Sequence, residues 1–355
     1  LVNGTGANQM NLQFTAGVLG AMNIMSDREV GMRIQNLTAM VPREKAIVIY
    51  HANCLDGFGA AYCFHYLKEH IPYDLEFYPA NYGQEPPYKE LAGKHVFIVD
   101  FSYKRNQMIG IALQAASLVV LDHHKTAKEE LEGLEEAIHE EEQIRAAELG
   151  NNGVEEDDSI ACFIHFNMKR SGTGLTWEYL TASYPPMNYV IKTPELLKHI
   201  EDRDLWKFEL PNTKALMAAL QSLPMTFESW DSVMRLESYE GMTMLGQKLL
   251  DQHLHLVKMG IESTKRMMNI GGVYVPVANL HGVFASDAGN LMSAEYAEGS
   301  LFSATYYDTA DGRIFSLRSQ SHGTDVSAIA AKYGGGGHKN AAGFKVPREH
   351  NLASR

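Results

Sequence analysis

The chain has 355 residues, 45% of them hydrophobic, and a formal net charge of −12. That length supports two packed domains, and the acidic balance argues against a broad basic surface for duplex nucleic acid. No apolar run reaches the roughly 18 residues that cross a bilayer, which excludes a helical membrane span.

Residues 1 to 43 lack the charged start, apolar core and cleavage pattern of a signal peptide. They read as an N-terminal extension with helix-compatible stretches at 16–25 and 27–37 and no legible chemistry. Position 1 is Leu, which leaves the natural start open. Cys54, Cys63 and Cys162 are odd in number and widely spaced, so they predict a reducing, cytoplasmic setting without a disulfide framework.

From Lys45 the pattern becomes regular. Strands are predicted at 46–50, 75–78, 95–99 and 117–121, with helices at 57–69 and 104–116 between them. Alternation of strand and helix predicts an α/β domain over 44–225, a parallel sheet with flanking helices. Within it, 128–149 reads as a solvated amphipathic helix and 150–158 as a loop, an acidic run that is ordinarily plain surface. Helix is expected again over 163–180, with Ser171-Gly172-Thr173-Gly174 as a turn or cap, and at 196–200. Pro211 to Pro224 reads as the end of this domain. Residues 226–268 form a helical linker, with Gly241 and Gly246 as its weak points. A smaller α/β domain follows over 269–350. It has a strand at 273–277, a hairpin of 301–307 and 313–318, and a helix at 325–333 that ends in four glycines.

The polar residues collect where the predicted strands end. Asp122-His123-His124 closes the strand 117–121, and such strand ends are where open α/β sheets bind ligands. Imidazole and carboxylate together suit Mn, Fe, Co or Zn better than Ca; a polar turn accounts for the tripeptide taken alone. His51 and Asp56 sit in the loop after the first strand, where both can face one metal, or Asp56 can cap the next helix. Asp100 follows the third strand and can bridge two cations or cap a helix. Asp202 and Asp204 flank Arg203, and either is a candidate ligand while the other pairs with the arginine. Cys54 reads more readily as a small buried residue than as a ligand, and more readily as a ligand than as a nucleophile.

The second signal is Gly334 to Gly343, four glycines followed by His338-Lys339-Asn340-Ala341-Ala342-Gly343. A flexible linker is the plain alternative. The favoured reading is a backbone nest whose N–H groups cradle a phosphate or carboxylate. His338 would add a donor there, and Arg318 would clamp phosphate bidentately.

Taken together, these residues resemble the DHH/DHHA1 phosphoesterase family over about residues 45 to 345. The resemblance rests on Asp122-His123-His124 and Gly334 to Gly343 in the right order, helped by Leu317-Arg318-Ser319 and Asp325-Val326-Ser327. It implies a catalytic domain, a substrate-binding domain and a cleft between them. It implies one or two Mn²⁺ ions, with Mg²⁺ or Co²⁺ as alternatives, held by His51, Asp56, Asp100, His123 and Asp202, with Asp204 as the second choice for the last. Asp100, Asp122, His123 and His124 would be catalytic, and Arg318, Gly336, Gly337 and His338 would bind substrate. One departure stands out. Cys54, or Leu55 if the loop is gapped by one, occupies the place of the family's first Asp. That site would then be weakly occupied, use Cys54, or give way to one tighter metal.

The implied reaction is hydrolysis by metal-activated water of phosphodiester bonds in short oligonucleotides or small nucleotides, as an exonuclease or phosphodiesterase. The alternatives are a phosphomonoesterase acting on 3′,5′-bisphosphate nucleotides and a catalytically inactive nucleotide-binding member. Partners are expected to be the substrate alone, without duplex nucleic acid or membrane, and a homodimer is left open.

Overall fold

The computed structural model describes residues 42–148, 159–184, 191–295 and 302–353. The stretches 16–25 and 27–37 and the loop expected at 150–158 lie outside them. Among the described residues no helix is long and apolar enough to cross a membrane. The chain forms two compact units. The first runs to His123 and takes in Leu131–Thr213 and Leu223–Glu237; the second comprises His124–Glu130, Lys214–Ser222 and Ser238–Arg355.

The first unit is built on five strands: β1 (Glu44–His51), β2 (Tyr73–Ala80), β3 (His95–Val99), β4 (Ser117–Asp122) and β5 (Ala161–Phe166). All four pairings are parallel, in the order β2-β1-β3-β4-β5. Burial explains that order. The inner strands β3 and β4 are almost wholly buried and apolar up to the Asp122 that ends β4, as strands covered on both faces must be. The edge strand β5 alternates between exposed and half-buried residues. One face carries Ile47, Ile49, Val96, Ile98, Leu118 and Val120 into a core with Met108 and Ile111 of the helix Arg105–Ala112. The helix Leu55–Leu67 buries nearly its whole length against the unit.

Two local expectations need correction. Residues 161–166 are a strand, not the start of a helix; the helix spans Gly172–Ser183 with Ser171 as its N-cap, accepting from Gly174 N–H. Ala-Cys-Phe-Ile-His-Phe is a short apolar run that suits a helix start as well as a strand, so its residues alone do not decide between them. The acidic segment is two helices, Lys125–Glu130 and Leu134–Glu148, with Gly133 at φ +69° between them.

The second unit holds a six-stranded sheet of β6 (Arg266–Ile270), β7 (Val273–Asn279), β8 (Ser303–Thr309), β9 (Gly312–Arg318), β10 (Gly336–His338) and β11 (Ala341–Pro347). Its order is β10-β11-β9-β8-β7-β6. Only β7 and β8 pair in parallel, and the helix Ala285–Glu295 makes the crossover between them. Val275, Val277, Phe302, Phe315, Leu317 and Phe344 build the main core. Val257 and Ile261 of the helix Glu240–Thr264 pack with Ala278, Ala288 and Met292 in a second cluster. The segment 226–268 is thus not one continuous helix. It comprises Phe227–Met234, Glu240–Thr264 and the start of the strand β6.

Gly246 is a close-packing point of the helix Glu240–Thr264. A Cβ there would lie 1.8 Å from the carbonyl oxygen of Ala215. Alanine is the better helix former by about 1 kcal/mol, yet this clash reverses the sign. We predict that Gly246→Ala destabilises the protein by about 1–3 kcal/mol, the usual range for overpacking. A midpoint in chemical denaturation that rises instead would contradict this packing.

Candidate metal centre

The chain leaves β1 for β2 on one side and then returns to place β3 on the other. That reversal falls at the carboxyl ends of β1 and β3, the usual ligand position in open α/β sheets. His51 is the last residue of β1, and Asp100 follows β3 directly. Both loops turn through left-handed residues, Asn53 at φ +57° and Asp100 at φ +54°. Asn and Asp are the side-chain-bearing residues that adopt this conformation most readily. At Gly57, a Cβ would lie 2.2 Å from the carbonyl oxygen of His51, so only glycine lets the helix start this close to the strand end.

One imidazole nitrogen gathers three carboxylates. His123 Nε2 lies 2.9 Å from Asp100 Oδ1, 3.6 Å from Asp56 Oδ2 and 3.7 Å from Asp204 Oδ2. On its other side Asp100 Oδ2 is 3.6 Å from His51 Nδ1. The His51 ring is set by Phe101, stacked at 6.1 Å, and Tyr82, edge-on at 5.3 Å. Among the described residues, two groups of metal-compatible atoms lie wholly within the first unit. Asp56, His123 and Asp204 form one, and His51, Cys54 and Asp100 the other; within each group the donor atoms lie within 4.8 Å of one another. Asp100 belongs to the second group by that measure and touches His123 of the first, which is the geometry of a shared carboxylate.

Each carboxylate is held by specific donors. Asp56 Oδ2 accepts from Gly172 N–H at 2.6 Å and Oδ1 from Thr173 N–H at 2.9 Å, while the Thr173 hydroxyl donates to the Asp56 carbonyl. Asp56 thus sits on the N-terminus of the helix Gly172–Ser183, where the helix dipole favours negative charge. Gly172 is required there, since its Cβ would meet Asp100 Cβ at 2.4 Å. Asp122 is fully buried; it accepts from the Ser102 hydroxyl at 2.6 Å and from His123 N–H at 2.7 Å, which fixes the backbone that carries His123.

The electrostatics follow from crowding. Burial pushes the Asp56 carboxyl well above its usual range, and the charges of Asp204 and Asp100 push it further. For His123, burial disfavours the charged ring. The hydrogen bond to Asp100 and the charges of Asp204, Asp100 and Asp56 outweigh that and raise its pKa well above the ordinary imidazole value. Burial also raises the Cys54 thiol, with Asp100, Asp204 and Asp56 adding to it. A divalent cation would relieve this repulsion, and the N, O and S donors present fit one.

Asp204, rather than Asp202, is brought to the cluster. The Asp202 carboxylate is occupied elsewhere, accepting from the Thr213 hydroxyl at 2.6 Å and from the N–H groups of Glu209 and Leu210 at 2.8 and 3.2 Å. Burial raises its pKa, but the Thr213, Glu209 and Leu210 donors outweigh burial and hold it below the usual carboxylate range. Asp202 and Asp204 lie two positions apart on one helix, and periodicity alone does not say which turns inward. The Gly172–Thr173 cradle for Asp56 was legible as a helix cap, but its partner in sequence-distant Asp56 was not.

In the second unit, the four glycines do not form an open nest. Gly334 and Gly335 N–H donate to Ala331 and Ala330 carbonyls and end the helix Val326–Ala331, while Gly336 and Gly337 enter β10. Gly337 N–H donates to Thr126 Oγ1 at 3.1 Å. His338 stacks on His124 with ring centroids 4.5 Å apart, and Lys125 Nζ pairs with Asp325 at 2.5 Å. Arg318 Nη2 donates to Ser286 Oγ at 2.9 Å and Nη1 to the Leu317 carbonyl.

The two aspartates should separate cleanly on mutation. Asp202→Asn should cost about 1–3 kcal/mol of stability through its mispaired buried partners, whereas Asp204→Asn should leave the melting temperature nearly unchanged and weaken divalent-metal binding. Because the folded Asp202 pKa is depressed, its stabilisation is full above the unfolded carboxylate value near 3.9 and is lost as pH falls through the lower folded value. The stability gap between wild type and Asp202→Asn should therefore persist from about pH 7 to about pH 5 and close only in stronger acid. The opposite assignment of the two phenotypes would refute this division of roles.

No family model matches the chain. The uncharacterized protein R106 of Acanthamoeba polyphaga mimivirus is 29% identical over 314 residues, which covers 84% of this chain and 66% of that protein. The chain thus spans just under two thirds of that relative's length. Three solved structures align with most of this chain at low identity. An exopolyphosphatase-related protein of Bacteroides fragilis has a TM-score of 0.47 and 12% identity over 94% of this chain and 95% of its own. RecJ of Thermus thermophilus, in complex with Mn²⁺, has a TM-score of 0.43 and 11% identity over 89% of this chain and 52% of its own. The pGpG-specific phosphodiesterase PggH of Vibrio cholerae has a TM-score of 0.41 and 14% identity over 86% of this chain and 94% of its own. In its motifs the chain resembles the DHH/DHHA1 phosphoesterases.

Proposed function

We propose that this protein is a metal-dependent phosphohydrolase that cleaves phosphodiester bonds of short oligonucleotides or small nucleotides. The observation that carries the proposal is the convergence of Asp100, Asp56 and Asp204 on His123 Nε2, with His51 on the far oxygen of Asp100. A core has no use for such a cluster, whereas a divalent cation requires one. His51, Asp56, Asp100, His123 and Asp204 would hold one or two ions, Mn²⁺ being the first choice for this nitrogen and oxygen set. The bound cation supplies Lewis acidity toward a phosphoryl oxygen and activation of water at neutral pH.

The chain's own residues would do the positioning. Asp122 holds the His123 backbone, and the Gly172–Thr173 amides hold Asp56, so neither ligand swings on substrate entry. In the second unit, Arg318, His124 and His338 would stabilise negative charge on nonbridging oxygens, with Gly336 and Gly337 admitting close approach of the substrate. The mutual stacking of His124 and His338 fixes both ring planes. A net charge of −12 supports a small phosphorylated substrate over a long polyanion.

The test is hydrolysis with added Mn²⁺ of a panel containing dinucleotides, short RNA and DNA oligomers, cyclic dinucleotides, a 3′,5′-bisphosphate nucleotide and pyrophosphate. Turnover of a phosphodiester member should vanish on chelation and return with Mn²⁺. Asp100→Asn is the informative variant, because Asn tolerates the φ of +54° that Ala would strain. It should lose about 100-fold or more in kcat while keeping its circular dichroism. Undiminished turnover in Asp100→Asn would overturn the assignment.

A further inference from the structure

The two halves of the metal centre differ in chemistry. Asp56, His123 and Asp204 offer only nitrogen and oxygen, whereas His51, Cys54 and Asp100 offer nitrogen, sulfur and oxygen with all three donor atoms within 4.8 Å of one another. We propose that Cys54 Sγ is a metal ligand in its own right, so that the His51–Cys54–Asp100 half selects a thiophilic divalent cation of the zinc class beside a harder Mn²⁺-type half. This rests on the phosphohydrolase reading for the presence of metal, and goes beyond it in assigning a ligand and a preference.

Three features of this chain support it. The Cys54 sulfur lies within 4.8 Å of a His51 nitrogen and an Asp100 carboxylate oxygen, close enough for all three to face one ion. The backbone presents it there: Asn53 turns through φ +57° and Cys54 opens the helix Leu55–Leu67, with Phe58 N–H donating to the Cys54 carbonyl at 3.0 Å. The partners are oriented independently of any ion, His51 by the Phe101 and Tyr82 rings and Asp100 by His123. One imidazole, one thiolate and one carboxylate make a set of three protein ligands with a fourth position open, which suits a tetrahedral cation. Thiolate favours zinc-class ions over Mn²⁺ and Mg²⁺ by softness, and the sulfur gives up its proton to solvent when it coordinates. The other two cysteine sulfurs are elsewhere. Cys63 is buried with its Sγ directed at the Thr173 carbonyl, 3.7 Å away, and Cys162 lies in the edge strand β5.

Co²⁺ reports directly on sulfur. Titrating the full chain with Co²⁺ should produce a near-ultraviolet sulfur-to-metal charge-transfer band along with the visible ligand-field bands. Cys54→Ser and Cys54→Asp should lose the charge-transfer band and keep metal. Zn²⁺ affinity, measured by competition with a chromophoric chelator, should fall by more than about tenfold in Cys54→Ser, the least expected even for a group one step removed from the ion. Cys54→Asp should gain Mn²⁺ affinity. Co²⁺ bound by wild type without the charge-transfer band overturns the Cys54 assignment while leaving the phosphohydrolase reading intact, and so does a band that survives Cys54→Ser. Failure of wild type to bind any divalent cation overturns both.

Discussion

Three carboxylates share one buried imidazole, and much of the first unit can be understood as the means of holding them there. Asp100, Asp56 and Asp204 approach His123 Nε2 at 2.9, 3.6 and 3.7 Å. One imidazolium balances one carboxylate at most. Each further pair of like charges about 4 Å apart in a partly screened site repels by roughly 4 kcal/mol. Packing alone would relax such a cluster by letting side chains rotate away. Instead the Gly172 and Thr173 amides grip Asp56, and the backbone of Asp100 is tied by its N–H to the Leu121 carbonyl at 2.9 Å. The anchoring groups are backbone donors on rigid elements, which hold a crowded charged cluster in one geometry.

The parallel sheet sets where this can happen. Its inner strands are covered on both faces and so supply a rigid, apolar body whose polar residues can emerge only at the ends. Because β1 lies between β2 and β3, the loops after β1 and β3 diverge, and His51 and Asp100 face each other across the gap. The left-handed turns at Asn53 and Asp100 and the tight approaches at Gly57 and Gly172 are the local devices that close the remaining distance. Each is a departure from relaxed backbone or ordinary spacing, and they lie in the loops and helix start that surround one site.

This pattern also explains what the amino-acid sequence made legible. Continuous apolar runs such as Val96-Phe97-Ile98-Val99 and Leu118-Val119-Val120-Leu121 announce buried parallel strands, and a polar residue after each announces an edge. His51, Asp100 and His123 were readable because a strand period ends at or just before them, and Asp56 because it opens the helix after the first strand. The edge strand β5 was not readable, since a short apolar run such as Ala161-Cys162-Phe163-Ile164 does not separate strand from helix. The glycine run looked like an anion nest because composition does not say where N–H groups go; Gly334 and Gly335 give theirs to a helix end. The choice between Asp202 and Asp204 depends on where the chain goes after the helix, which no local period encodes.

That choice has a physical logic of its own. Asp204 is the last residue of the helix Glu195–Asp204, at the negative end of its dipole, where a carboxylate costs stability rather than adding it. Beyond it the chain passes through left-handed conformations at Trp206, Phe208 and Asn212, none of them glycine. Such a segment needs to be held. Asp202 holds it: its side chain takes the N–H groups of Glu209 and Leu210 and the Thr213 hydroxyl, and its carbonyl accepts from Lys207 N–H at 3.0 Å. The Arg203 guanidinium covers the Trp206 ring at 4.3 Å and braces the same turn. Asp202 is therefore the strut that lets the helix stop with Asp204 aimed at His123. The two acids of one short motif divide the work, one giving its hydrogen bonds to the fold so that the other can keep its charge for the site.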